Sequence, residues 1–167
     1  MGYAHYAQDR ATTEITHLFG SQWDNGLLPH MVFNSRFGHY FPGIDFWDAE
    51  RSPNAPREIK TSGVVQPPLH ATAVLYVYRH AQDEAAKEFL RRLFPKLGAW
   101  HDYLYRERDP EGEGLVYIRH PWESGMDNSP MWDSIMERLQ LLPGQIPSYM
   151  RADTHLIAAE NPKPCTS

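Results

Sequence analysis

The segment His120-Pro-Trp-Glu-Ser-Gly-Met-Asp-Asn-Ser-Pro130 carries two carboxylates, Glu123 and Asp127, on either side of a flexible Gly125. An imidazole, an indole, an amide and hydroxyl groups stand beside them. Cleaving a glycosidic bond takes an acid that protonates the departing oxygen and a second carboxylate that activates water or attacks the sugar. An aromatic face packs on the apolar side of a sugar while polar groups bind its hydroxyls. The same residues have a structural reading, in which Asp127 or Ser129 caps a helix whose first turn is fixed by Pro130. A regular helix would put Glu123 and Asp127 on one face, but Gly125 makes that arrangement insecure. Asp24, Asp45, Asp48 and Asp133 read as caps or solvated charges.

Other chemistries find less support. The nine histidines are dispersed, among them His30, His39, His70, His80, His101 and His120, with no HExxH spacing and no cysteine pair. No metal or cofactor is therefore expected. Neither Gly43 nor Gly125 belongs to a nucleotide-binding glycine pattern, and no spacing singles out a Ser-His-Asp triad.

These groups must be held by a folded chain, and the composition permits one. The 167 residues fit one ordinary domain; 41% are hydrophobic and 22% charged, which separates the chain from disordered tails. A net charge of −5, without a strong basic run, argues against a nucleic-acid or acidic-membrane partner. Cys165 is alone, so it forms no intrachain disulfide. Neither a long apolar span nor a basic-then-apolar leader occurs, and the expected compartment is the cytoplasm.

The elements that would position the site are mostly helices. Residues 7–19 form a first helix with Ile15, Leu18 and Phe19 on one face and Gly20 at its end. Next, GSQWDNGLLPHMVFN has turn residues at Asp24, Asn25 and Gly26, with the aromatics Trp23 and Phe33 beside the polar pair Gln22 and His30. Residues 35–63 show no periodicity and read as one long irregular excursion covering or shaping a site; its aromatics Phe37, Tyr40, Phe41, Phe46 and Trp47 need something to pack on. VVQPPLHATAVLYVYRHA reads as a buried inner helix opening at Pro67 and Pro68. DEAAKEFLRRLF begins another helix, which Pro95 must kink or divide. DPEGEG is a turn, LVYIRH is extended, and PMWDSIMERLQ is helical from Pro130.

Three motifs in order, QWDNGLLPHMVF, SGVVQPPLHA and RHPWESGMDNSPMWD, closely resemble the glycoside hydrolases of the mannosylglycerate and glucosylglycerate hydrolase type. That family stands with the processing α-glucosidases and more distantly with trehalases. The resemblance implies an all-α fold, a partial (α/α)6 barrel or incomplete six-hairpin toroid, over residues 1–160, with a disordered tail at 161–167. It makes Asp127 the general acid of an inverting reaction on a small α-glucoside or α-mannoside. Trp122 becomes a sugar-packing wall, with Trp23 and Trp47 as further candidates. Gln66 and His30 become polar lining, and Glu123 an orienting or substrate-binding neighbour. The family's distal general base has no match here, so a fragment without its base is expected. The alternatives are a non-catalytic sugar-binding remnant, or an assembly fragment that pairs with a complementary chain or with copies of itself.

Overall fold

The computed structural model describes residues 2–40, 42–81, 83–127 and 129–138. Phe41, Asn128 and the expected tail at 161–167 lie outside them. The described residues are helical, with one isolated antiparallel bridge between Val32 and Thr61. The chain divides between Tyr117 and Ile118 into two compact units, each described by itself.

In the first unit, helices α1 (Gln8–Gly20), α3 (His70–Ala81) and α4 (Glu84–Arg108) pack against one another, and the short α2 (Ile44–Trp47) lies in the intervening segment. Helix α4 is the longest element. Asp83 caps it by accepting the Ala86 N–H at 2.7 Å. Ala86, Phe89, Leu93, Leu97, Trp100, Tyr103 and Leu104 are buried along it at steps of three and four, a single apolar stripe. Pro95 does not divide this helix. It lies on the exposed side together with Arg91, whose carbonyl loses its helical partner where water can replace it.

Helix α1 ends at Gly20, as the pattern predicts, although Ser21 closes it. The Ser21 hydroxyl donates to the Leu18 carbonyl at 2.7 Å. Lys96 of α4 donates to the Phe19 carbonyl at 2.9 Å, a cation at the negative end of the α1 dipole.

Helix α3 departs from expectation twice. It starts at His70 rather than at the prolines, because a residue preceding proline is driven toward extended backbone, and both Gln66 and Pro67 precede one. Nor is it buried all round. Val74 and Val77 enter the core, whereas Leu75 and Tyr76 are about 40% exposed, because α1 and α4 cover one side only.

The segment 22–28 docks on α4 at a point where no side chain fits. Gly26 has φ +91, and a Cβ there would stand 2.2 Å from the Ala99 carbonyl oxygen. The Gln22 carboxamide donates both to the Gly26 carbonyl, at 3.0 Å, and to the Lys96 carbonyl, at 2.9 Å. Arg106 donates to the Asn25 carbonyl at 2.7 Å. Gly26→Ala should therefore destabilise the chain by at least about 2 kcal/mol, from the positive φ and the clash together. Urea unfolding would measure the loss.

His70 sits at the head of α3 with its ring edge toward Phe19 of α1 and Trp100 of α4, at centroid distances of 6.1 and 5.8 Å. Burial, and secondarily the charge of His101, pushes its pKa below 6.5. The fold thus favours the neutral ring. This contribution to stability is full above pH 6.5 and is lost as the pH falls through the lower folded value. The melting temperature should fall over that acid window, and His70→Gln should flatten the slope.

Candidate functional site

Among the described residues of the second unit, the candidate acid stands between two braced turns. His120 caps the 3-10 turn Pro121–Ser124, its Nδ1 accepting the Trp122 N–H at 3.1 Å, and its ring meets the Trp122 ring edge to face at 5.2 Å. The Ser124 hydroxyl donates to the Pro121 carbonyl at 2.6 Å and accepts the Met126 N–H at 2.9 Å. Gly125 ends the turn in the left-handed region at φ 72, where glycine carries no steric penalty.

The second turn closes on one carbonyl. Met126 O accepts the Ser129 N–H at 3.1 Å and the Trp132 indole N–H at 2.9 Å. Asp127 sits between those anchors and is exposed. The incoming 3-10 turn Pro130–Trp132, which leads into α5 (Asp133–Met136), is capped by Ser129, whose hydroxyl accepts the Met131 N–H at 3.4 Å. Of the two cap candidates it is Ser129 that caps. No described residue holds the Asp127 carboxylate by a hydrogen bond or ion pair.

Glu123 has a different environment. It is 2% exposed, and its carboxylate accepts the Arg119 N–H at 2.7 Å, so it serves the backbone of the turn before Asp127. Trp122, beside it, is half-buried.

The remaining candidates belong to the first unit. His30 and Trp47 are brought together, with ring centroids 6.0 Å apart. His30 lies in a stretch that runs antiparallel to residues 60–64, its N–H donating to the Val64 carbonyl at 2.8 Å. Half-buried Gln66 follows two residues later. Trp23 is only 7% exposed and is a core side chain, its indole N–H donating to the Thr61 hydroxyl at 3.0 Å. Little of its ring is left to face a ligand.

The aromatic excursion at 35–63 is less irregular than its sequence suggests, because α2, the 3-10 turn Ala49–Arg51 and the Val32–Thr61 bridge organise it. Phe33, Phe37 and Tyr40 form edge-to-face pairs at 4.8 and 5.0 Å. A cavity in this region is lined by Asp45, Asp48, Glu50, Lys60 and Thr61 among others, and by none of the candidate residues. Among the described residues, no group of three or more His, Cys, Asp or Glu is arranged to hold a metal. No described helix is long and apolar enough to cross a membrane.

Sequence reasoning missed Thr61, Ser62 and the bracing role of Trp132. Trp132 stands inside the most specific motif, and Ser62 opens SGVVQPPLHA. The partners of Thr61 and Ser62 lie far away in the chain, so spacing alone gave no signal for them. Trp132 reaches the Met126 carbonyl within its own motif, but a backbone acceptor leaves no mark in the residue types.

Residues 1–163 match the family model described as the mannosylglycerate hydrolase MGH1-like glycoside hydrolase domain. The chain belongs to this family. Among its mannosylglycerate hydrolase-like relatives, a mannosylglycerate hydrolase of Rubrobacter radiotolerans is 60% identical over 162 residues, covering 96% of this chain and 37% of the relative. A glucosylglycerate hydrolase of Mycolicibacterium hassiacum is 40% identical over 171 residues, covering 98% of this chain and 38% of the relative. The crystal structure of a GH63 mannosylglycerate hydrolase from Thermus thermophilus, in complex with Tris and D-glycerate, superposes with a TM-score of 0.75 at 44% identity. That match covers 92% of this chain and 35% of the other. The chain thus spans about a third of the length of its mannosylglycerate and glucosylglycerate hydrolase relatives.

The double acceptance at Met126 O generates a test within this segment. Trp132→Phe keeps the ring but deletes the indole donor. It should cost about 0.5–1.5 kcal/mol locally and speed hydrogen exchange at the Ser129 amide, while α1 and α4 exchange as before.

Proposed function

We propose that this chain carries the acid-bearing part of an inverting glycoside hydrolase acting on small α-glucosides or α-mannosides, such as glucosylglycerate and mannosylglycerate. Asp127 is its general acid. The observation that carries this reading is the solvent-facing Asp127 carboxylate, held between two braced turns inside the family-matched segment while Ser129 takes over the cap.

In this mechanism Asp127 gives its proton to the glycosidic oxygen as the bond to the anomeric carbon breaks. A glutamate in a part of the hydrolase outside these 167 residues removes a proton from the attacking water on the opposite face. An inverting pair leaves room for that water, with carboxyl groups about 6.5–9.5 Å apart. Glu123 is a positioning group for the Asp127 turn rather than that base. Trp122 and Trp47 supply sugar-packing faces, Gln66 and His30 bind hydroxyls, and Trp23 supports the lining from the core. Helices α1, α3 and α4 are neighbouring helices of one part of an (α/α)6 barrel.

Two measurements test this. The chain alone should turn over glucosylglycerate and mannosylglycerate negligibly, and gain activity when co-expressed with the remaining two-thirds of a relative. In that complemented enzyme Asp127→Asn should lower kcat by about 10²–10⁴-fold, the range for lost acid catalysis. Its melting temperature should stay unchanged, because asparagine preserves size and no described residue holds the exposed Asp127 carboxylate. Near-normal turnover by the folded variant would remove Asp127 from the acid role.

A further inference from the structure

His30 donates its backbone N–H to Val64, but its ring is oriented by another residue. Ser62 is completely buried, and its Oγ lies 3.3 Å from His30 Nδ1. The same oxygen accepts the Met31 N–H at 3.1 Å, and the Ser62 N–H donates to the Met31 carbonyl at 3.0 Å. The serine is thereby fixed against the 30–33 stretch by its main chain and its side chain together.

A buried hydroxyl has one proton to place. Met31 N–H uses a lone pair of Ser62 Oγ and offers nothing to the proton. Among the described residues His30 Nδ1 is the acceptor within reach. Were Nδ1 protonated instead, it would donate to Oγ, and the serine proton would be stranded in the interior. A desolvated donor left unmade costs more than the exchange of one hydrogen bond for another.

We propose that Ser62 is a positioning residue that holds His30 in the neutral tautomer with its proton on Nε2. His30 then meets a ligand oxygen as a hydrogen-bond donor, not as an acceptor. The consequence for a ligand rests on the reading of His30 as a sugar-site residue; the tautomer does not. Such a device suits a site that must bind a neutral sugar in one orientation. A ring free to exchange tautomers would accept from a hydroxyl as readily as donate to it, whereas a fixed one selects the ligand's lone pairs.

The test uses the full chain, labelled with 15N, at about pH 8, where an ordinary imidazole is neutral. Long-range proton–nitrogen correlation should find His30 Nδ1 in the unprotonated range and Nε2 in the protonated range. A protonated Nδ1 overturns the proposal. Ser62→Ala should turn the single-tautomer signature of His30 into an averaged mixture, and an unchanged signature in a folded variant also overturns it. If that variant does not fold, Ser62→Cys keeps the shape with a much weaker donor and should give the same loss. Structural support alone would leave the tautomer unmoved by either change. Titration calorimetry with glucosylglycerate, on the complemented enzyme carrying Asp127→Asn, addresses the sugar-site reading separately. A fixed tautomer with an affinity that His30→Ala leaves unchanged removes His30 from the sugar site but retains the role of Ser62.

Discussion

The close approach of Gly26 to helix α4 fixes the geometry of the first unit. A backbone that passes this near the Ala99 carbonyl leaves no space for a β-carbon. The segment is held there by Gln22 and Arg106, which use carbonyls of Lys96 and Asn25 as anchors. Once that loop is down, Trp23 enters the core and its indole reaches Thr61. The next residue, Ser62, then pairs with Met31 and stands beside His30. A contact made for packing thus reaches a candidate ligand-facing side chain through alternating stretches of chain and hydrogen bonds, the Trp23–Thr61 bond buried and the Ser62–His30 bond partly so. Hydrogen bonds closed off from water hold geometry because their alternatives are unsatisfied groups.

The Asp127 segment uses the opposite economy of structure. It has little core of its own among the described residues, so local bonds do the holding. Ser124 grips the turn on one side, and Met126 O gathers two donors on the other. The acidic side chain is left facing outward, while the neighbouring Glu123 is engaged by backbone. Two carboxylates four residues apart therefore have different environments, one exposed and one buried. Divergent surroundings are what allow like groups to take unlike roles.

Much of this was legible from residue order. Helices α1 and α4 follow from apolar spacing at three and four, and the family follows from three ordered motifs. The capping chemistry around Pro130 was legible as a choice between Asp127 and Ser129, since either residue type can accept an amide. Helix α3 was legible in kind but misplaced at its start, because two consecutive prolines extend the backbone before them instead of opening a helix. Its apolar composition also suggested complete burial, yet composition cannot say how many neighbours a helix has.

The sequence by itself determined the helical character, the family and the turn residues that surround Asp127, because each of these depends on neighbours within a few positions. Tertiary structure alone decided that Trp23 is core, that Gln22 is a clamp across 74 positions, and that Ser62 reaches Met31 across 31. Such bonds have no local signature. They exist only when a distant carbonyl or amide has been brought to hydrogen-bond distance, and it is the docking of whole segments that brings it there.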